Sequence, residues 1–282
     1  MSQFEHQEVD SSIAPEIKLE QPGRVTDFFP LDQGEDINNK SIVQTAWLTC
    51  NIENSLDRLA LNLLSMLLLG NPAAPLHKAL LDSRLGGNLA PGSGFQDENR
   101  TTYFAAGLQA TDPEKTDKIE ALVLETLQSV SAKGFSKERI DGVIHRLEFS
   151  QREVTGDRYP YALGLLMKIM GPWLHADDPV SVLQLEKNLR TIREKSEQAS
   201  FFPDLIRHYL LDNPHRVTLT LAPDPELQEK IDRQTADRLQ AISRQLSEEE
   251  KQAIIAKSAE LKANQEGAED LSCLPTLQLN DI

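Results

Sequence analysis

One run of ten residues does most to constrain what this chain can fold into. Residues 41–50 read SIVQTAWLTC, dense in β-branched and aromatic side chains. In an extended strand Ile42, Gln44, Ala46 and Leu48 share one face, and Val43, Thr45, Trp47 and Thr49 share the other. Both faces carry apolar groups, which predicts an internal strand of a sheet. Further strands are few. Residues 88–97 and 101–110 read as two strands joined by a polar turn, 216–222 (RVTLTLA) alternates as another, and 24–29 holds a short one.

Helical signals fill the stretches between. Asn54 or Ser55 caps a leucine-rich helix to about residue 69, where Gly70 and the Asn71-Pro72 turn stop it. A second helix covers 75–84. Asp112-Pro113 opens a helix whose Ile119, Leu122, Val123, Leu127 and Val130 form one buried face. Helices are expected again from Ser136 to about residue 154, over 161–173, over 179–194 and over 200–211. After Asp224-Pro225 no strand signal remains. Two amphipathic helices are expected, about 225–245 and 248–265, with Ser247 and Glu250 forming a capping box. The short break between them predicts an antiparallel hairpin.

Grouped strands separated by runs of helices predict an α+β fold, with a mainly antiparallel sheet, helices on one face, and a helical hairpin after it. The expected organisation is a lead-in or linker over 1–40, an α+β domain over 41–223, the hairpin over 224–269 and an extended tail over 270–282. The polar lead-in and the tail without a stop signal read as the ends of a piece cut from a longer protein.

Composition removes several function classes. The 282 residues carry a net charge of −15 without a cluster of Lys and Arg, which argues against nucleic acid and against an anionic membrane surface as partners. The apolar run 59–69 is too short to span a bilayer. Cys50 and Cys273 make neither a disulfide framework nor a structural zinc site, which fits a reducing compartment such as the cytoplasm or an organelle matrix.

Hydrolytic metal chemistry would need histidines, and there are six. The most suggestive group is His145-Arg-Leu-Glu148-Phe149. An inverted zinc motif, H-x-x-E-H, puts two histidines on one helix face with a glutamate base between them. Phe149 stands where the second histidine belongs, and a phenyl ring donates no lone pair. Asp141, His145 and Glu148 therefore read as a solvated helix face, with Arg152 pairing locally. His77 reads as surface on a polar helix face. His208 and His215 are split by a helix end and a proline, and both read as capping or surface. His175 with Asp177 and Asp178 reads as a turn before a helix start. Gly92-Ser93-Gly94 lacks the flanks of a nucleophile elbow and reads as a bend. Neither cysteine has a basic neighbour that would make a reactive thiolate. No catalytic, metal-binding or substrate-binding residue is assigned.

Three segments together carry a resemblance. GNPAAPLHKALLDSRLG (70–86), NPHRVTLTLAPDP (213–225) and CLPTLQLNDI (273–282) are similar, in order and spacing, to segments of the presequence-protease branch of the insulinase-like (pitrilysin) zinc metallopeptidases. The likeness spans roughly residues 41–282. It implies a family chain of four related α+β domains in two halves, joined by a helical hairpin and closing around a peptide chamber. This segment then corresponds to the second, non-catalytic domain plus the hairpin. Its expected role is chamber wall and hinge of an endopeptidase degrading unfolded peptides. Zinc is implied for the parent and no cofactor for this segment. The implied partners are the remaining domains and the peptide substrates. The helix in the topological place of the zinc helix reads ENSLDRLALNLLSMLLL (53–69) and holds no histidine, so no catalytic residue carries over. Two other readings stay open: a stand-alone peptide-binding or assembly module of the same domain type, and an adaptor whose acidic hairpin docks a basic partner.

Overall fold

The computed structural model describes residues 8–10, 13–14, 16–153, 160–175, 178–183, 185–267 and 279–281. The chain forms two compact units, Met1–Pro225 and Glu226–Ile282. The first unit is built on one mixed sheet. Its strands are β1 (Gly23–Pro30), β2 (Ser41–Asn51), β3 (Asn88–Leu89), β4 (Gly94–Gln96), β5 (Thr101–Thr111) and β6 (Arg216–Asp224). They lie in the order β1-β6-β2-β5-β3, with β4 also paired to β5. All pairings are antiparallel except β1 with β6. The short strand expected in the lead-in is therefore the sheet's edge. Its parallel neighbour β6 comes from the far end of the unit in sequence, so no tight hairpin has to join the pair.

β2 is central, as its composition predicts. Val43, Thr45 and Trp47 are fully buried, whereas Ile42, Gln44, Ala46 and Leu48 are half-buried. Register places Val43, Thr45 and Trp47 beside Leu108, Ala106 and Phe104 of β5. That face carries the helices. Trp47 and Phe104 meet at 6.3 Å between ring centres.

Helix α1 (Ser55–Leu69) supplies most of the core. Asn54 caps it by accepting from the Asp57 amide at 3.2 Å. Seven of its residues are buried, and Leu61, Leu63, Leu64, Leu67 and Leu68 are sealed from solvent. Each such leucine contributes about 1.5–3 kcal/mol of burial. Helix α2 (Pro75–Asp82) packs with it, and α3 (Thr116–Lys133) packs against α2 and lies on β2 and β5. A 3₁₀ turn, Pro113–Lys115, precedes α3 at the expected Asp112-Pro113 start.

Three expectations need correction. Residues 88–97 do not form one strand, because Gly92 and Gly94 take φ of +73° and +116° and break the run into β3 and β4. The helix over 75–84 stops at Asp82, and Arg84 adopts a left-handed φ of +58°. The helix over 200–211 changes register: α8 (Phe201–Ile206) is followed by a π-helical segment, Arg207–Leu211. The side-chain amide of Asn213 ends that segment by donating to the carbonyls of Tyr209 and Leu48 at 2.9 and 2.7 Å. The helical stretch expected over 179–194 is helical in its described residues, as α6 (Pro179–Leu183) and α7 (Leu185–Ser196); position 184 lies outside the described residues. Helices α4 (Lys137–Arg152) and α5 (Tyr161–Leu174) fall where the periodicity puts them.

The second unit holds α9 (Leu227–Gln245) and α10 (Glu248–Glu266), separated by Leu246 and Ser247. The Ser247–Glu250 capping box forms as read from the sequence, with bonds of 3.2 and 2.8 Å. Neither helix buries a residue. Ile231, Leu239 and Ile242 remain 42–59% exposed. Amphipathic helices of this length draw their stability from packing of the apolar face, and within this unit that face is open.

Candidate functional site

The place to look for chemistry is the start of α1, where a hydrolytic metal helix would sit beside the central strand. The polar groups there are Asp57, Arg58, Asn54 and Ser55, and each is held by a neighbour. Tyr209 donates its hydroxyl to Asp57 Oδ2 at 2.7 Å, and Asn54 Nδ2 donates to the same oxygen at 2.7 Å. Arg58 Nη1 donates to the Ile52 carbonyl at 2.7 Å, and its Nε lies 3.5 Å from Asp97 Oδ2. Asn188 donates to Ser55 Oγ at 3.0 Å. Burial and the Asp57 carboxylate push the Tyr209 phenol well above its ordinary range, so it stays a proton donor. Burial also raises the Cys50 thiol, which sits 3.3 Å from Thr102 Oγ1. An elevated thiol pKa disfavours the nucleophilic thiolate. Cys273 lies outside the described residues.

Along the rest of α1 the inward positions are leucines. Zinc requires imidazole, thiolate or carboxylate donors converging on one point. The one carboxylate here, Asp57, is engaged by Tyr209 and Asn54, so these residues do not fit the metal. Among the described residues no group of three or more His, Cys, Asp or Glu comes together that could hold a metal ion.

The near-match on α4 lies elsewhere. Glu148 accepts from Arg193 Nη2 of α7 at 2.6 Å. Its partner is thus Arg193 from 45 residues away; the Arg152 side chain, read as the local partner, lies outside the described residues. His145 is exposed and lines an open groove of about 640 Å³ with Asp141, Lys137, Arg193 and Glu197. Phe149 is 62% exposed. The groove mixes both charge signs, and Lys137 already reaches Glu197 at 3.4 Å.

The other histidines divide by position. His77 corrects the surface reading: it is half-buried, and its Nδ1 is enclosed with no hydrogen-bond partner among the described residues. The short α2 is packed against both α1 and α3, which leaves it little free face. His208 is exposed and meets Tyr209 edge-on at 4.5 Å. His215 has a role that sequence reasoning missed: its Nδ1 accepts from the Leu19 amide at 2.8 Å and anchors the segment entering β1. No local signal announces a bond across 196 residues. Asp178 accepts from the Val180 amide at 3.0 Å, the helix-start role expected for it, and Asp177 lies outside the described residues. Gly92-Ser93-Gly94 is a turn closed by Ser93 bonds to the Ala90 carbonyl.

Two surfaces remain where apolar groups meet solvent. One is the sheet face without helices. Ile42, Gln44, Ala46 and Leu48 of β2 sit beside Leu221, Leu219 and Val217 of β6, and these residues are half-buried. Val25 on β1, paired with Leu219, is 50% exposed. The other is the outer side of α5. Among the described residues no helix is long and apolar enough to cross a membrane.

Comparison with known proteins agrees with this architecture. Residues 4–147 match the family described as Peptidase M16 inactive domain, and 221–282 match the peptidase-associated family of M16 subfamily C. A mitochondrial presequence protease of Xenopus tropicalis is 30% identical over 284 aligned residues, covering 100% of this chain and 27% of the relative. A chloroplastic/mitochondrial presequence protease of Arabidopsis thaliana is 32% identical, covering 93% of this chain and 25% of the relative. The chain thus spans about a quarter of the length of these relatives, which carry further domains in the same polypeptide. Among solved structures, the inactive peptidase domain of a zinc protease from Bordetella parapertussis superposes with a TM-score of 0.52 at 17% identity, covering 69% of this chain and 95% of that one. The M16 inactive domain from Pseudomonas fluorescens gives 0.51 at 17% identity, over 74% and 47%. The fold and the family match together place the chain in the M16 peptidase family, as an inactive domain followed by the associated segment of subfamily C.

Proposed function

We propose that this segment is a non-catalytic wall and hinge of a larger zinc metalloendopeptidase that degrades unfolded peptides. The observation that carries the reading is α1. Its inward positions are hydrocarbon where a hydrolytic metal helix needs donors, and its one carboxylate is spent on Tyr209 and Asn54. Zinc then belongs to another domain of the parent polypeptide. The half-buried apolar face of the sheet supports the wall role. Such a face offers contact to extended peptides without selecting side chains, and enclosure keeps bulk solvent away from the hydrolytic site, which strengthens its electrostatics. The exposed stripe of α9 and the exposed Ile254, Ile255 and Leu261 of α10 support the hinge role, because a connector between two halves finds its packing partners outside its own unit. The relatives are named presequence proteases of mitochondria or chloroplasts. Peptides of that kind, and a reducing interior such as an organelle matrix or the cytoplasm, are part of the same reading. It predicts that the purified 282-residue chain cleaves no quenched fluorescent peptide with or without added zinc, while the longer polypeptide does. Chelator-sensitive cleavage by the segment alone would overturn it.

A further inference from the structure

A guanidinium carries a fork of N–H donors and cannot shed its charge. That of Arg216, at the start of β6, keeps only 17% of its side chain exposed. Its Nε is sealed from solvent and has no hydrogen-bond partner among the described residues. The acid beside it, Glu120, keeps Oε1 3.7 Å away and already accepts from Arg24 through Oε2. The Nη groups of Arg216 likewise find no partner among the described residues. An enclosed charge with unused donors is ordinarily completed by a bound group. Arg216 lines a cavity of about 420 Å³ between α3 and the π-helical segment, and a second guanidinium, Arg207, lines the same cavity. Arg207 is held in place: Nε donates to Ser131 Oγ at 3.2 Å and Nη1 to Asp204 Oδ1 at 3.2 Å. Ser131 is itself buried and donates to the Pro203 carbonyl at 3.3 Å. Nη2 of Arg207 is left without a partner among the described residues.

We propose that this cavity binds a phosphate group between Arg207 and Arg216. The unused donors select the ligand. A carboxylate has two oxygens, and a single guanidinium fork fills both. A phosphate offers three acceptor oxygens and nearly two charges, enough to engage both arginines at once. Gln128 adds a polar side chain to the lining, and Leu124 and Leu211 add apolar wall. A cavity of that composition can also seat the organic part of a small phosphorylated molecule. Ser131 acts as a positioning residue, because its hydroxyl fixes the Nε edge of Arg207. Asp212 is the one acid of the lining; it is exposed and pairs with neither arginine among the described residues. The chain as a whole carries −15 and repels anions at long range, so affinity has to arise from these local contacts.

Titration calorimetry on the 282-residue chain provides the test, with inorganic phosphate and phenyl phosphate as probes and acetate at matched ionic strength as control. Both phosphates should saturate a single site, and acetate should bind about tenfold more weakly or less. Tighter binding of phenyl phosphate assigns a phosphorylated organic molecule. Binding no tighter than that of inorganic phosphate assigns free phosphate, and either result supports the site. Arg216→Gln should lower phosphate affinity about tenfold or more. Arg207→Gln should do the same, and at the more exposed arginine it keeps the test open should circular dichroism show Arg216→Gln unfolded. Asp212→Asn should tighten binding about twofold or more, because a like charge leaves the lining. Lys137→Gln, in the groove beside His145, should change nothing. Heat without saturation means that water completes the guanidiniums and overturns the proposal. So does acetate binding as tightly as phosphate, or a folded Arg207→Gln of unchanged affinity. Phosphate binding that disappears in the longer polypeptide assigns the two arginines to an acid of a neighbouring domain and likewise overturns it.

Discussion

The Tyr209 hydroxyl donates to Asp57 Oδ2 across 2.7 Å, tying the π-helical segment before β6 to the first turn of α1. The bond links elements 152 residues apart, and its carboxylate keeps a second donor in Asn54. Tyr209→Phe therefore leaves no orphaned acceptor and should cost about 1–2 kcal/mol, seen as a melting temperature lower by roughly 2–6 °C. The pH dependence follows from the same contact. The folded phenol is held above its ordinary value of 10.0, and the buried Cys50 thiol above 9.0. The stabilisation is complete below those values. It falls as pH rises past about 9 and then about 10, because the unfolded chain releases protons that the fold retains. Chemical denaturation between about pH 8 and pH 11 should show this decline, and Tyr209→Phe should flatten its upper part.

The edge strand β1 is clasped to α3 through an acid. Arg24 donates from Nη2 to Glu120 Oε2 and from Nη1 to Asp117 Oδ1, each at 2.5 Å, and Arg216 Nε stands 3.7 Å from Glu120 Oε1. Glu120 is 9% exposed in its side chain and Arg216 17%, whereas Asp117 is 78% exposed. Removing the enclosed partner leaves Arg216 uncompensated, so Glu120→Ala should cost about 2–4 kcal/mol. Asp117→Ala should stay within about 0.5 kcal/mol, because solvent screens that arm. Hydrogen exchange distinguishes a local from a global effect. In Glu120→Ala the amides of β1 should exchange earlier than those of β2, and equal acceleration of both strands would refute the clasp.

Much of this was legible in the sequence, and the exceptions share a cause. β2 could be read because apolar groups on both faces leave few alternatives to an internal strand. The absence of histidine from α1 is a property of its letters. The Ser247–Glu250 box and the Asp178 cap are local bonds with local signatures. What escaped depends on distant partners. Glu148 finds Arg193 on another helix, His77 is enclosed because α2 lies between α1 and α3, and His215, just before β6, holds Leu19, just before the neighbouring β1. The exposure of Leu163, Leu166, Met167, Met170 and Leu174 on α5 likewise has no local signal, because it depends on what the rest of the unit leaves uncovered.

Two glycines with similar letters should answer substitution in opposite directions. A Cβ on Gly107 of β5 would sit 2.0 Å from the Val43 carbonyl oxygen and 2.6 Å from Gln44 Cα, both backbone atoms of the central strand. Gly107→Ala must therefore push β2 and β5 apart, costing about 3 kcal/mol or more and reducing soluble yield. Gly142 of α4 has nothing within 4 Å of its added Cβ. Gly142→Ala should stabilise by about 0.5–1 kcal/mol through helix propensity alone. Urea denaturation of the pair measures both signs.

The near-match on α4 allows a direct test of the non-catalytic reading. Phe149→His completes the letters H-x-x-E-H on an exposed helix face, because His145 and position 149 are one turn apart. Letters alone do not make a hydrolytic site. A catalytic zinc takes three protein ligands and a water, and the glutamate must be free to accept that water's proton. Glu148 is engaged by Arg193 at 2.6 Å. Asp141, the nearest further acid of this face, lies one turn before His145 and points with it into an open groove that cannot exclude solvent. Phe149→His should therefore gain measurable zinc binding by calorimetry over the unaltered chain, with no zinc-dependent hydrolysis of a quenched peptide. Adding Arg193→Ala frees Glu148 and should still give no turnover. Cleavage by either variant would show that the missing histidine, rather than the missing third ligand and the open surroundings, is what keeps this helix silent.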